Sequence, residues 1–276
     1  TQALSFCPPP EMTSALTQCR LVTEGDDAVM TRTVNNAAQD ASPSKAAQLR
    51  SAYLDILTTD GSFTAAIAVW KSALASVPAA ADARDVLTRS GNRLITALLE
   101  HDQAPAAAAA WQVGRVAGLF AAADGPTASE RVVDGDFGAP FERGPLGWQI
   151  CTDCGPWLSR VSGAPALDME FHGDQNDALT LARQWLLLAP GANYRLAAAA
   201  SCIPGGSHGL FAQIADAHGQ ALARLDLPMD SSRRSASVAF TAPGESVQAQ
   251  LGYQRPLGEM PLHATCQVSA FSVTAQ

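Results

Sequence analysis

The spacing of apolar residues changes once along this chain of 276 residues, near Gly125-Pro126, and this change constrains the fold more than any other feature. From about residue 11 to residue 124, apolar side chains recur every three or four residues, which is the period of amphipathic helices. After residue 126 they alternate with polar side chains, which is the period of strands. We therefore predict a two-domain α+β protein: a helical bundle or repeat-like domain at residues 1–125 and an antiparallel β-sandwich at residues 129–276.

The first half carries start and stop signals typical of several short helices. Ser42 followed by Pro43 is a typical helix N-terminus, and Asp60-Gly61 marks the end of the same helix. Trp70 and Trp111 lie 41 positions apart, and several alanines are repeated at the same spacing. This pattern loosely resembles tetratricopeptide-like repeats. A plain helical bundle explains the same pattern. A repeat-like arrangement would offer a groove to a protein partner.

The segment Gln184–Leu196 predicts two strands joined by a turn at Pro190-Gly191. Because side chains alternate between the two faces of a strand, Trp185 shares a face with Arg183. The opposite face carries Gln184, Leu186 and Leu188. We expect this second face to be the inner one, which places Trp185 on the outer surface.

Short motifs follow one another in a defined order in the second half. They are Val133-Asp134-Gly135-Asp136-Phe137, Gly147-Trp148, Gln184 with Leu186 and Leu188, Pro190-Gly191, and Tyr194. This order, over roughly residues 130–276, resembles the jelly-roll carbohydrate-binding modules often appended to polysaccharide-degrading enzymes, within the wider galactose-binding-like group. The resemblance implies a jelly roll that binds a polysaccharide or oligosaccharide. Members usually have Asn in place of Asp134 and, near a structural calcium, Asp in place of Ser269, so the resemblance does not extend to calcium.

The candidate ligand-binding residues combine aromatic and planar polar side chains. Sugar rings stack their apolar faces on aromatic planes, and their hydroxyl groups need hydrogen-bonding partners. The candidates are Trp185, Arg183, Trp157, Gln149, Tyr253 and Arg255, with Gln213 and Gln250 as further hydrogen-bonding neighbours. Trp157 follows Gly155-Pro156 and is expected in an exposed loop. For each of these aromatic residues, the alternative to a ligand-binding role is burial in the core.

Six cysteines predict three disulfides, namely Cys7–Cys19, Cys151–Cys154 and Cys202–Cys266. Disulfides persist in oxidising compartments, so the pattern indicates a periplasmic or extracellular protein. The C-x-x-C motif has two alternatives, a zinc site and a thioredoxin-type redox centre. Zinc needs two further ligands at short spacing, and the redox motif opens a helix in a βαβ unit; the sequence offers neither context. We predict no metal and no cofactor.

Charge and motif content argue against several classes of partner and reaction. The net charge is −8, with no basic cluster longer than Arg233-Arg234, which disfavours nucleic acid and anionic membranes as partners. No apolar run reaches about 18 residues, so membrane insertion is not expected. Glycoside hydrolysis needs two carboxylates, for which Asp168 and Glu170 are the candidates. The five histidines are scattered and G-x-S-x-G is absent.

These patterns predict a non-catalytic envelope or secreted protein that binds a polysaccharide through the sandwich and a partner protein through the helical domain. Two alternatives stay open. One is a protein–protein adaptor without a sugar site, and the other is a small glycoside-acting hydrolase that uses Glu170.

Overall fold

The computed structural model describes residues 27–75, 80–120, 131–138, 146–160, 165–204 and 209–276. The chain divides into two compact units, Thr1–Ala121 and Ala122–Gln276. The described elements of the first unit are all helices and those of the second are all strands, so the predicted α+β class is confirmed. The predicted disulfide Cys7–Cys19 lies outside the described residues.

The described residues of the first unit form five helices. These are α1 (Asp27–Gln39), α2 (Pro43–Thr59), α3 (Phe63–Leu74), α4 (Ala81–Glu100) and α5 (Ala104–Val116). As predicted, α2 begins at a proline after Ser42, whose backbone is extended. Trp70 and Trp111 are both buried, and the indole Nε1 of Trp70 donates to the carbonyl of Ala110 at 3.0 Å, which joins α3 to α5. The tetratricopeptide-like interpretation stays a prediction.

The described residues of the second unit form two five-stranded antiparallel sheets. The strands are β1 (Gln149–Ile150), β2 (Trp157–Arg160), β3 (Leu167–His172), β4 (Ala178–Leu187), β5 (Asn193–Ile203), β6 (Leu210–Ala215), β7 (Ala221–Asp226), β8 (Arg234–Thr241), β9 (Ser246–Gln254) and β10 (His263–Ala275). The first sheet has the order β1-β4-β9-β6-β7, and the second has the order β2-β3-β10-β5-β8. Alternate residues of both sheets form one buried cluster, so this unit is a β-sandwich.

The motif residues of the second half meet at one place in this sandwich. Gln184 is 1% exposed, yet both ends of its amide are hydrogen-bonded: Oε1 accepts from the backbone N–H of Val133 at 3.0 Å, and Nε2 donates to the Val133 carbonyl at 2.9 Å. The indole Nε1 of Trp148 donates to the carbonyl of Asp134 at 3.0 Å. Gly135 approaches the Phe271 carbonyl so closely that a Cβ atom would lie 1.9 Å from its oxygen. These contacts therefore hold the segment from Val133 to Gly135 against the sandwich.

Two of the predicted disulfides are present. Cys202 and Cys266 lie directly opposite each other on β5 and β10 and are fully buried, so this bond links neighbouring strands of the second sheet. Cys151 and Cys154 are also bonded and close a short ring after β1. The residues of the first pair are 64 apart in the sequence, and closing a loop of that length stabilises a fold by about 4 kcal/mol.

Candidate polysaccharide-binding site

A row of five planar polar side chains crosses the outer face of the first sheet, one from each strand. We call it the polar row, and it consists of Gln149, Arg183, Gln250, Gln213 and Arg224, each directly opposite the next in the strand register. Neighbouring strands lie about 4.8 Å apart, so the row spans about 19 Å. The alternation of each strand produces this face, because the flanking residues Leu251, Ala212 and Ile214 belong to the core.

Hydrogen bonds within the polar row hold its side chains in place. The Nε of Arg183 donates to Gln149 Oε1 at 2.9 Å. Gln213 Nε2 donates to Gln250 Oε1 at 3.1 Å, and Gln250 Nε2 donates in turn to Gln248 Oε1 at 2.9 Å. The three row glutamines are half-buried, so each keeps part of its amide accessible. An amide has two donor hydrogens and two acceptor lone pairs, which leaves capacity for ligand hydroxyl groups.

A depression of about 350 Å³ lies beside Arg183 at one end of the polar row. Its lining residues are Gln149, Ile150, Cys151, Thr180, Arg183 and Gln250. Pockets for small ligands begin at about 300 Å³, so this volume is sufficient for one compact ring. The lining combines apolar atoms with amide, hydroxyl and guanidinium groups, which is the mixture that a sugar ring needs.

The other end of the polar row is built differently. The guanidinium carbon of Arg224 lies 3.9 Å from the centroid of the Phe211 ring. Its Nε is 3.2 Å from Asp226 Oδ1, and its Nη1 donates to Gln254 Oε1 at 2.6 Å. Arg224 therefore has an acidic partner and a ring beneath it. Arg224 was not among the predicted ligand-binding residues, because only the pairing of β7 with β6 and of β6 with β9 places it in line with Gln213 and Gln250.

Two of the predicted ligand-binding residues are buried, which corrects their assignment. Trp185 lies outside the core cluster and on the face of Arg183, as predicted, but its side chain is only 4% exposed. Gln248, directly opposite Trp185, is also buried. A period of two assigns a side chain to a face but does not determine whether that part of the face is open. Tyr253 is 2% exposed and packs in the core against Phe171.

Trp157 belongs to a different surface. Trp157 is the first residue of β2 in the second sheet, although it was expected in a loop. It is 72% exposed, as predicted. His172 lies edge-on to its indole, with ring centroids 6.1 Å apart, and the Nε2 of His172 is 3.8 Å from Glu170 Oε2. His172 and His263 are directly opposite in the register. The two outer faces of a sandwich point away from each other, so Trp157 and Arg183 do not share one binding site.

The remaining candidates have structural partners. Arg255 forms an ion pair of 2.7 Å with Asp177 and also donates its backbone N–H to the Asp177 carbonyl. A ligand-binding role for Arg255 stays a prediction. Glu170 lies on the outer face of the second sheet, where half of its side chain is exposed. Within the described ranges, no group of three His, Cys, Asp or Glu residues is placed to hold a metal ion, and no helix is long and apolar enough to cross a membrane.

Comparisons by sequence find no match: no family profile matches the chain, and no curated protein does. Comparisons of structure find matches over about half of it. A CBM4 structure is 16% identical, with 52% of this chain and 99% of that chain covered and a TM-score of 0.42. The CBM22-1 xylan-binding domain from Paenibacillus barcinonensis Xyn10C is 10% identical, with coverage of 56% and 97% and a TM-score of 0.34.

An arabinose-bound α-L-arabinofuranosidase, MgGH51, is 14% identical, with a TM-score of 0.39 over 55% of this chain and 27% of that chain. The structures that match therefore include binding modules and a catalytic protein. The β-sandwich that the motifs of the second half predicted is confirmed by its two packed sheets.

Proposed function

We propose that this protein binds a polysaccharide chain that lies across the strands of the first sheet, along the polar row. The observation that carries the proposal is the alignment of five planar, hydrogen-bonding side chains at the spacing of neighbouring strands. That spacing, about 4.8 Å, is close to the length of one pyranose ring in an extended chain. Successive rings of such a chain would each meet one side chain of the row.

The mutual hydrogen bonds of the row support binding because they reduce its entropic cost. A free glutamine side chain loses rotamer freedom when it binds a ligand, at about 0.5–1.5 kcal/mol. Gln250 is already held on both sides, by the bond it accepts from Gln213 and the bond it donates to Gln248. Its amide can therefore meet a hydroxyl group with little further loss of freedom.

We further propose that the protein is located in the bacterial envelope or outside the cell, which the disulfides Cys151–Cys154 and Cys202–Cys266 support. The sandwich, residues 129–276, binds its ligand without catalysis. The helical domain binds a protein partner, for which a groove of about 750 Å³ runs between α1 and the start of α3. The adaptor alternative rests on the same groove, which is lined by Arg32, Asn35, Asn36 and Phe63 among others.

A glycan array with the full chain, followed by calorimetric titration, tests the sugar site. Gln250→Ala removes the central amide of the row and is expected to weaken binding of the selected glycan about tenfold, the scale of one or two hydrogen bonds. Gln267→Ala is the matched control, because Gln267 is also half-buried but lies on the second sheet, and it should bind like the wild type.

Two outcomes would contradict the proposal. Binding that survives Gln250→Ala but is lost in Trp157→Ala would move the site to the outer face of the second sheet. The absence of binding to any glycan by the folded wild-type protein would favour the adaptor.

A further inference from the structure

We infer that the ligand is an acidic polysaccharide, and that Arg183 binds the carboxylate of one of its uronic acid units; this inference rests on the proposed function. Arg183 is exposed, and the only hydrogen bond of its guanidinium group within the described residues is the one from Nε to the neutral amide of Gln149. No carboxylate of the described residues forms an ion pair with it. Among the residues that the structure describes, its positive charge is therefore not neutralised by an acidic partner.

The charge of this face contrasts with the charge of the unit that carries it. Residues 129–276 contain nine arginines and fourteen acidic residues, which makes a net charge of −5. The polar row contains two arginines and no acidic residue, and Asp226 is the one carboxylate that contacts it among the described residues. A positive row on an acidic unit is complementary to a chain that carries negative charges.

The geometry at Arg183 suits a carboxylate better than a hydroxyl group alone. The bond to Gln149 uses Nε and orients the guanidinium plane, which leaves the two Nη groups for a ligand. Two parallel N–H groups match the two oxygens of a carboxylate, and such charge-assisted bonds are about twice as strong as neutral ones. The depression beside Arg183 has room for the ring that would carry this carboxylate.

Arg224 is not equivalent, although it belongs to the same row. Asp226 lies 3.2 Å from its Nε, and Gln254 accepts from its Nη1, so its charge already has a partner. The guanidinium also lies over the Phe211 ring and therefore forms a platform. The structure thus assigns the recognition of negative charge to Arg183 and a charge-independent contact to Arg224.

The test compares matched acidic and neutral probes on the full-length protein. Cello-oligosaccharides and their C6-oxidised uronate forms are one pair; oligogalacturonates and their methyl esters are a second pair with another linkage. The wild type should bind the acidic member of at least one pair ten times or more tightly than the neutral member. This ratio should fall as salt is raised, because Arg183 and its ligand are exposed to solvent.

Variants then identify which arginine recognises the negative charge of the ligand. Arg183→Gln keeps a planar amide and should reduce the acid-to-neutral ratio to about one, while Arg183→Lys, which keeps the charge but not the fork, should retain part of it. Arg224→Gln should weaken both members equally and leave their ratio unchanged. Arg195→Gln on the second sheet controls for the general loss of one positive charge, and it should keep the wild-type ratio. Melting curves would confirm that each variant is folded.

Each contrary outcome has its own meaning. If the wild type binds the neutral members as tightly as the acidic ones, and Gln250→Ala weakens that binding, the inference fails and the proposed function stands. If Arg195→Gln lowers the ratio as much as Arg183→Gln does, the preference is a property of net charge and the assignment to Arg183 fails. If no probe and no glycan binds, both the inference and the proposed function fail.

Discussion

Replacing Trp185 with alanine should destabilise the protein by about 3–5 kcal/mol. The side chain is only 4% exposed, although it lies outside the core cluster of the sandwich. A tryptophan buries about 150–250 Å², and at about 25 cal/mol per Å² the full area is worth about 4–6 kcal/mol. Alanine keeps the Cβ atom and the surroundings relax in part, so the expected loss is that of a typical buried Trp→Ala change.

Urea unfolding followed by far-ultraviolet circular dichroism measures this loss, with the transition of the β-type signal as the readout. Trp157→Ala is the matched control, because it removes the same side chain from a site that is 72% exposed. We expect that control to change the free energy of unfolding by less than about 0.5 kcal/mol. A Trp185→Ala protein with the wild-type midpoint, or a control that loses as much, would refute the reasoning from burial.

A change in sugar binding by Trp185→Ala would not identify Trp185 as a ligand contact. Trp185 lies directly opposite Gln248, which accepts the hydrogen bond from Gln250 Nε2. Loss of the indole would therefore also disturb the central amide of the polar row. The free energy of unfolding, and not the affinity for sugar, therefore shows whether Trp185 acts as a buried structural residue.

Two further predictions concern the helical unit. Gly91→Ala should destabilise this unit by about 1–3 kcal/mol through overpacking, because the new Cβ would lie 2.4 Å from the buried ring of Trp70. This loss should exceed the gain of about 1 kcal/mol that alanine brings as the better helix former. Thermal melting shows the sign of the change, and a higher melting temperature would contradict the prediction. Burial raises the pKa of Asp55 above its ordinary 3.8, against the opposing effect of Arg93. The carboxyl group of Asp55 therefore stays protonated to a higher pH in the folded protein than in the unfolded chain, so the free energy of unfolding should fall as pH rises from 3.8 through the raised pKa. Asp55→Asn should flatten that part of the plot of stability against pH. An unchanged pH profile would contradict the prediction.

Much of the fold could be predicted because its signals are local. The proline at the start of α2 and the alternation of Gln184 and Leu186 depend on residues a few positions apart, and both agree with the structure. The alternation also showed that Gln184 faces inward. It did not show why a polar side chain is tolerated there, because its partner, the backbone of Val133, lies 51 positions away in the sequence.

The candidate site was predictable only in part. Arg183 and Gln149 were identified from their residue types, and both lie in the polar row. Tyr253 was predicted as a ligand-binding residue but is buried in the core. The sequence carried a signal for this, since Tyr253 is three positions from Gln250 and a period of two places such residues on opposite faces. Trp157 was correctly expected to be exposed, but nothing near it in the sequence indicates which sheet it joins.

The sequence by itself determined the two kinds of secondary structure and which residues of each strand share a face, because these depend on periods within a few residues. The tertiary structure alone decided the strand order β1-β4-β9-β6-β7 and the register between the strands. Those pairings join distant parts of the chain, and together they place Gln149, Arg183, Gln250, Gln213 and Arg224 side by side. Burial of Trp185 was decided in the same way, since exposure depends on everything that packs over a face and not on the strand that presents it.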